Sequence, residues 1–320
     1  MIACVVTLTR YTAGFLLRVT IPSLGRGKWA APKKETAAVM SEIRRQQSAF
    51  GVFLQAVVHA PPSVMGAGFL AVFACLLSLS LSVRVVVVGG SGKTGRLVVE
   101  TCLSDPRCSQ VTVAAKSLSR ARSLFGRDSE RLAVLPCDVT DQDPRRLRAV
   151  LDKADAVICT AAYSPSSGFD PLGALRVDGL GVRRLIDACV DARVPKFVLC
   201  SSLLTNGLAA GQLLNPQYLL LNAVGGILSV KRSTELYLQR QHEIDFTIVR
   251  PGGLTDLSPS HPVLYGSADT IFGGAISRQT VAKILVESAF SHQASNKIVE
   301  VIESANAIEA TFDFALKNVQ

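Results

Sequence analysis

Three glycines at Gly89, Gly92 and Gly95, with Ser91, Lys93 and Thr94 between them, are the residues here whose types and spacing can do chemistry at once. Glycine lets a backbone turn sharply and come close to a bound group, and free N–H groups at a helix start favour an anion. Such a loop suits the pyrophosphate of a dinucleotide. Gly92-Lys93-Thr94 also looks like the end of a nucleoside-triphosphate loop, but Val87 stands where that loop requires its first glycine. A triphosphate site is therefore excluded.

Downstream, Lys116 and Arg120 occupy the region about 20 residues past the glycines, where NAD-selective folds place an acid against the ribose. A carboxylate repels a 2′-phosphate and Lys or Arg attracts it, so this pattern predicts NADP rather than NAD. Asp138 closes another apolar run, where it reads as an adenine contact or as the cap of the following helix. Ala161 and Ala162 are small enough to leave a cofactor room. Ser202 reads as a carbonyl-polarising hydroxyl or as a group that satisfies strand-end backbone. Lys231 lies on a predicted helix and reads by itself as an exposed helix lysine.

These residues need a scaffold that brings strand ends together. Five of the six residues Val83–Val88 are β-branched, which suits a strand buried on both faces. Leu97, Val98, Cys102 and Leu103 then give an apolar helix face. Further strands are predicted at Gln110–Ala115, Leu132–Pro136, Asp155–Thr160, Lys196–Cys200, Asp245–Arg250 and Lys297–Ile302. Helices are predicted around Val182–Cys189, at Ile227–Gln241 and at Thr280–Phe290. Residues 163–174 read as a loop at the substrate rim, and 203–226 resist assignment and read as including a mobile loop. The sixth strand is expected to break at Pro251-Gly252-Gly253. This alternation predicts an α/β fold, a single doubly wound parallel sheet with a small C-terminal elaboration.

Ahead of that body the composition changes. Residues 1–83 carry eight Lys/Arg against Glu35 and Glu42, or +6 of the net +9. The body is nearly neutral and has no aromatic–basic pattern, which excludes nucleic-acid binding. Residues 1–62 read as a basic targeting segment or a disordered tail. Residues 63–82 form a hydrophobic segment that reads as a membrane span or as a signal region, so membrane association through it is an expectation. The folded domain is expected over 83–320. The eight cysteines have no Cys-x-x-Cys spacing; neither a metal site nor a disulfide framework is indicated, which fits a reducing compartment.

Taken together, GGSGKTG, CDVTD, VDGLGVRRLIDAC, KFVLCSS, FTIVRPGGL and SRQTVAKILVESA resemble the atypical short-chain dehydrogenase/reductases over about residues 83–305. Within them the chain is most similar to plant and algal chloroplast NAD(P)-binding proteins, which include a dehydrogenase-like translocon subunit, and more distantly to biliverdin/flavin reductases. The resemblance implies a chloroplast location, a pyrophosphate on Gly89, Gly92 and Gly95, a 2′-phosphate on Lys116, and adenine at Asp138 and Val139. It places the nicotinamide near Pro251 and Gly253. The Pro/Ser-rich repeats by which the translocon subunit binds ferredoxin reductase have no counterpart here, so that partner is not carried over.

One departure weighs against the usual chemistry. Short-chain dehydrogenases use Tyr-x-x-x-Lys, and four residues before Lys231 stands Ile227. Isoleucine cannot transfer a proton. Lys231 reads as a ribose contact only through the family resemblance. Two readings follow: an NADPH-dependent reductase of a flavin, quinone or tetrapyrrole acceptor, or a non-catalytic NADP-binding sensor or scaffold at a plastid membrane. The small-molecule substrate and the oligomeric state are open at this point.

Overall fold

The computed structural model describes residues 5–11, 14–20, 83–126, 128–164, 170–223 and 225–319. The chain divides into two compact units, Met1–Arg10 with Gly14–Ser82, and Tyr11–Ala13 with Val83–Gln320. Near the N-terminus, Val5–Tyr11 and Gly14–Thr20 pair as a two-stranded sheet, in line with their apolar and β-branched content. Residues 63–82 lie outside the described residues. Among the described residues no helix is long and apolar enough to cross a membrane.

The body from Val83 is built on an eight-stranded sheet. Its strands are β1 (Val83–Val88), β2 (Cys108–Ala115), β3 (Leu132–Pro136), β4 (Ala156–Cys159), β5 (Lys196–Cys200), β6 (Asp245–Pro251), β8 (Val263–Gly266) and β10 (Lys297–Glu303). A separate parallel pair is made by β7 (Gly253–Thr255) and β9 (Ala275–Ser277). The order across the main sheet is β3-β2-β1-β4-β5-β6-β10-β8. All neighbours run parallel except β8, which lies antiparallel on β10 with Val263 opposite Glu303. Strand order therefore reverses between β1 and β4, which opens the crevice where ligands bind in doubly wound sheets.

Strand β1 shows why the sheet must be covered on both sides. Val85 and Val87 join one buried cluster with α1 (Lys93–Ser104), α2 (Leu118–Phe125) and α7 (Arg278–Phe290). Val86 and Val88 join another with α3 (Pro144–Val150), α4 (Val182–Asp191) and α6 (Ile227–Gln239). Alternate side chains point to opposite faces, so a strand of consecutive valines needs helices on both. Helix α4 meets that need with Val182, Leu185, Ile186 and Cys189, all buried. Burying each large aliphatic side chain contributes about 1.5–3 kcal/mol.

Residues 203–226, which resisted assignment, begin as turns that lead into α5 (Pro216–Ala223), capped where Asn215 Oδ1 accepts from the Gln217 N–H at 3.0 Å. The sixth strand breaks at Pro251-Gly252-Gly253 as expected, one residue beyond Arg250. Strand β6 runs through Pro251, and Gly253 begins β7, its N–H donating to Gly274 O at 2.9 Å. Gly252 allows this because a Cβ there would lie 2.6 Å from Gly274 O. The remaining C-terminal segment forms a short helix α8 (Phe312–Ala315).

Candidate functional site

Gly89 leaves β1 at φ +80°, and a Cβ on it would stand 2.7 Å from Ala161 N, at the end of β4. Gly95, in the first turn of α1, packs its Cα against the loop so closely that a Cβ would fall 2.2 Å from Gly89 O. These two glycines are required by the fold. Gly92 is different. Its backbone is extended at φ −76°, and a Cβ there would meet only Gly89 O, at 3.2 Å. Its open side faces outward at the N-terminus of α1. That terminus has no side-chain cap and no acid in its first turn, so its N–H groups and dipole end remain free for an anion. Ser91 and Thr94 are half-buried beside it, and Lys93 is exposed.

The other cofactor-binding candidates gather at the same sheet edge. Lys116 follows β2 and Arg120 stands exposed on α2, where the Ser117 hydroxyl caps the helix by accepting from the Arg120 N–H. Asp138 follows β3; it accepts from the Thr140 N–H at 2.9 Å and the Thr140 hydroxyl at 2.7 Å. Lys116 Nζ lies 2.9 Å from Asp138 Oδ2. Partial burial would raise the Asp138 carboxyl, but the bonds from Lys116 and Thr140 hold it below the usual carboxylate range. Val139 is buried next to it, while Ala161 and Ala162 follow β4 directly. Pro251 and Gly253 sit where β6 passes into β7.

Lys231 is neither an exposed lysine nor free. Its side chain is mostly buried, 14% exposed, with Nζ 2.7 Å from Oδ1 of the buried Asp178. Asp178 lies on the π-helical turn Leu175–Gly181 that leads into α4, and its other oxygen accepts from the Tyr163 N–H at 2.8 Å. Burial alone would lower the Lys231 ammonium; the Asp178 carboxylate more than offsets it and raises the group above its ordinary value. Cys159 and Cys200, at the ends of β4 and β5, are pushed up by burial to about 12 and about 11. They are neutral thiols at neutral pH. A cavity of about 10 Å³ opens here, lined by Ala161, Cys200, Ser201, Lys231 and Thr234, which is room for one water. Ser202 is half-buried just beyond β5. Ile227 stands at the start of α6, half-buried, in the place of the expected tyrosine.

Below this edge lies a buried ionic network that sequence reasoning missed. Arg250, fully buried, donates to Glu235 at 2.7 and 3.0 Å, to Asp269 at 2.8 Å and to Glu300 at 3.1 Å. Glu235 also accepts from the Ser201 hydroxyl at 2.6 Å and from Thr205, so Ser201 is committed to structure. Glu300 accepts three backbone N–H groups, from Asp269, Thr270 and Ile271. The network ties the segment after β5 to the segment after β8. A lone arginine before Pro251 was the only sequence signal of it. Asp178 could have been sought as the acid one turn before the apolar run Val182–Cys189.

Residues 89–292 match the family model described as NAD(P)H-binding. The chain belongs to that family. An uncharacterised chloroplast protein of Arabidopsis thaliana is 38% identical to this family member over 229 residues, which are 72% of this chain and 80% of the relative. Protein TIC 62 of pea chloroplasts is 32% identical over 242 residues, 70% of this chain but only 43% of TIC 62. Among solved structures, a short-chain dehydrogenase/reductase of Veillonella parvula in complex with NADP superimposes with a TM-score of 0.55 at 16% identity, over 72% of this chain and 99% of that one. That likeness is one of fold. As an NAD(P)H-binding protein the chain has a crevice that fits a dinucleotide: a glycine cradle, an uncapped helix N-terminus, and flanking cations. Among the described residues no group of His, Cys, Asp and Glu could hold a metal ion.

Proposed function

We propose that this protein is an NADPH-dependent reductase of a flat, conjugated acceptor of the flavin, quinone or tetrapyrrole type, working in the chloroplast. The observation that carries the reading is the pairing of an intact cofactor cradle with Ile227 in the place of the proton-donating tyrosine. When bound, the dihydronicotinamide supplies a hydride. Such an acceptor spreads the charge it receives over its conjugated system, and water can then supply the proton. The chain's own residues bind and orient. Gly92 and the first turn of α1 receive the pyrophosphate, and Lys116 and Arg120 the 2′-phosphate. Lys231, held by Asp178, presents a fixed positive charge beneath the crevice. Ser202 donates a hydrogen bond to the acceptor carbonyl. The chloroplast assignment is supported by the names of the two curated relatives.

Full-length protein titrated with NADPH and then screened for NADPH oxidation against a flavin, a quinone and a linear tetrapyrrole tests the reading. Turnover with at least one acceptor, lost in Gly92→Val because a branched side chain fills the cradle, is the expected result. Binding without turnover on any acceptor would favour the second reading, a non-catalytic NADP-responsive sensor or scaffold at a plastid membrane, to which Ile227 also points.

A further inference from the structure

Lys93 Nζ, on the glycine loop side of α1, lies 3.2 Å from Asp256 Oδ2, and Arg278 Nη1, at the start of α7, lies 2.7 Å from Asp256 Oδ1. Lys93 and Asp256 are 163 residues apart. Asp256 follows β7, so its carboxylate stands between the N-termini of two helices. Neither first turn contains an acid of its own. The carboxylate and Lys93 are both well exposed, 63% and 69%, and a pair this open adds little to stability. Lys93 and Arg278 nonetheless hold the Asp256 carboxyl below the usual carboxylate range. A negative group kept by two cations beside the uncapped N-terminus of α1 occupies the electrostatic place of an anionic ligand.

From this geometry we infer that Asp256 is a built-in competitor of the cofactor's pyrophosphate: it holds Lys93 and Arg278 in the free protein and gives them up when a dinucleotide arrives. The inference rests on the cofactor reading of the glycine loop. Asp256 is then a positioning residue that weakens binding of both nucleotides alike, because both carry the same pyrophosphate. It sets the affinity of the crevice, whereas Lys116 and Arg120 set the choice between NADPH and NADH.

Calorimetric titration of NADPH and NADH into wild type, Asp256→Asn, and Asp256→Asn with Lys93→Met, each at low and high salt, tests it. Asp256→Asn should bind both nucleotides about threefold to fivefold more tightly at low salt. The gain should fade at high salt, since exposed charges are screened, and should vanish with Lys93→Met. A thermal melt of each variant identifies any loss of folding. Unchanged or weaker binding in a folded Asp256→Asn overturns the inference, as does a gain confined to NADPH or one that survives Lys93→Met. If wild type binds neither nucleotide, the cofactor reading fails and takes this inference with it; if wild type binds and Asp256→Asn gains nothing, only the inference fails.

Discussion

Lys116 and Asp138 close the ends of β2 and β3 with a 2.9 Å ion pair, so the cation read as the 2′-phosphate contact and the carboxylate read as the adenine contact hold each other. The pair keeps the lysine at the rim of the crevice, 77% exposed.

That exposure sets the size of the first prediction. A charge-assisted contact contributes about 1.5–3 kcal/mol, and solvent screening pulls an exposed one to the lower end. Lys116→Ala should therefore weaken NADPH about tenfold while leaving NADH almost unchanged, which has no 2′-phosphate to lose. Fluorescence titration of both nucleotides checks it. Equal weakening of both would show that Lys116 supports the crevice as a whole and does not read the phosphate.

Asp178 and Lys231 make the second. Removing one partner of a buried pair leaves an uncompensated charge, at a cost of about 3–5 kcal/mol, so Asp178→Ala should lower the melting temperature markedly. The pH dependence has a definite sign. The folded-state value of Lys231 is raised, so the pair's contribution is fully present below the unfolded lysine value near about 10.4 and is lost as pH rises through the folded value. In Asp178→Ala the unpaired, buried ammonium should titrate below its ordinary value, and stability should rise with pH there instead. Urea unfolding of both proteins across neutral to alkaline pH decides the matter; parallel curves would refute the coupling.

Arg250 carries the third. Its substitution by Met leaves Glu300 buried without its cation and Glu235 with only Arg232 at 3.4 Å, and a loss of about 3–5 kcal/mol is expected. Arg250→Lys should recover little of it, because one ammonium cannot reproduce the fork that reaches Glu235 through two nitrogens while also meeting Asp269 and Glu300. Chemical denaturation measures both. A near-neutral Arg250→Lys would mean that net charge suffices and the fork geometry contributes nothing.

Local patterns carried most of the fold. The valine run of β1, the i, i+3, i+4, i+7 face of α4 and the glycine loop each express a rule that acts over a few residues, and the strand-to-helix alternation left one doubly wound arrangement. The cradle was legible for the same reason, since Gly89, Gly92 and Gly95 lie within one turn of chain. Where chemistry depends on residues far apart, the sequence is silent. Nothing near Lys231 announces that Asp178 will neutralise it across 53 positions, so it could be read as an exposed helix lysine. Nothing near Lys93 points to Asp256, and Arg250 gathers partners at Glu235, Asp269 and Glu300. Periodicity tells a side chain which face to bury, but only the order of strands in the sheet decides which charges meet, because a buried charge takes whichever opposite charge the topology brings within reach. The sequence by itself determined the scaffold and the kind of ligand it fits; the tertiary structure decided which of the candidate residues stand free to meet that ligand and which are already held by one another.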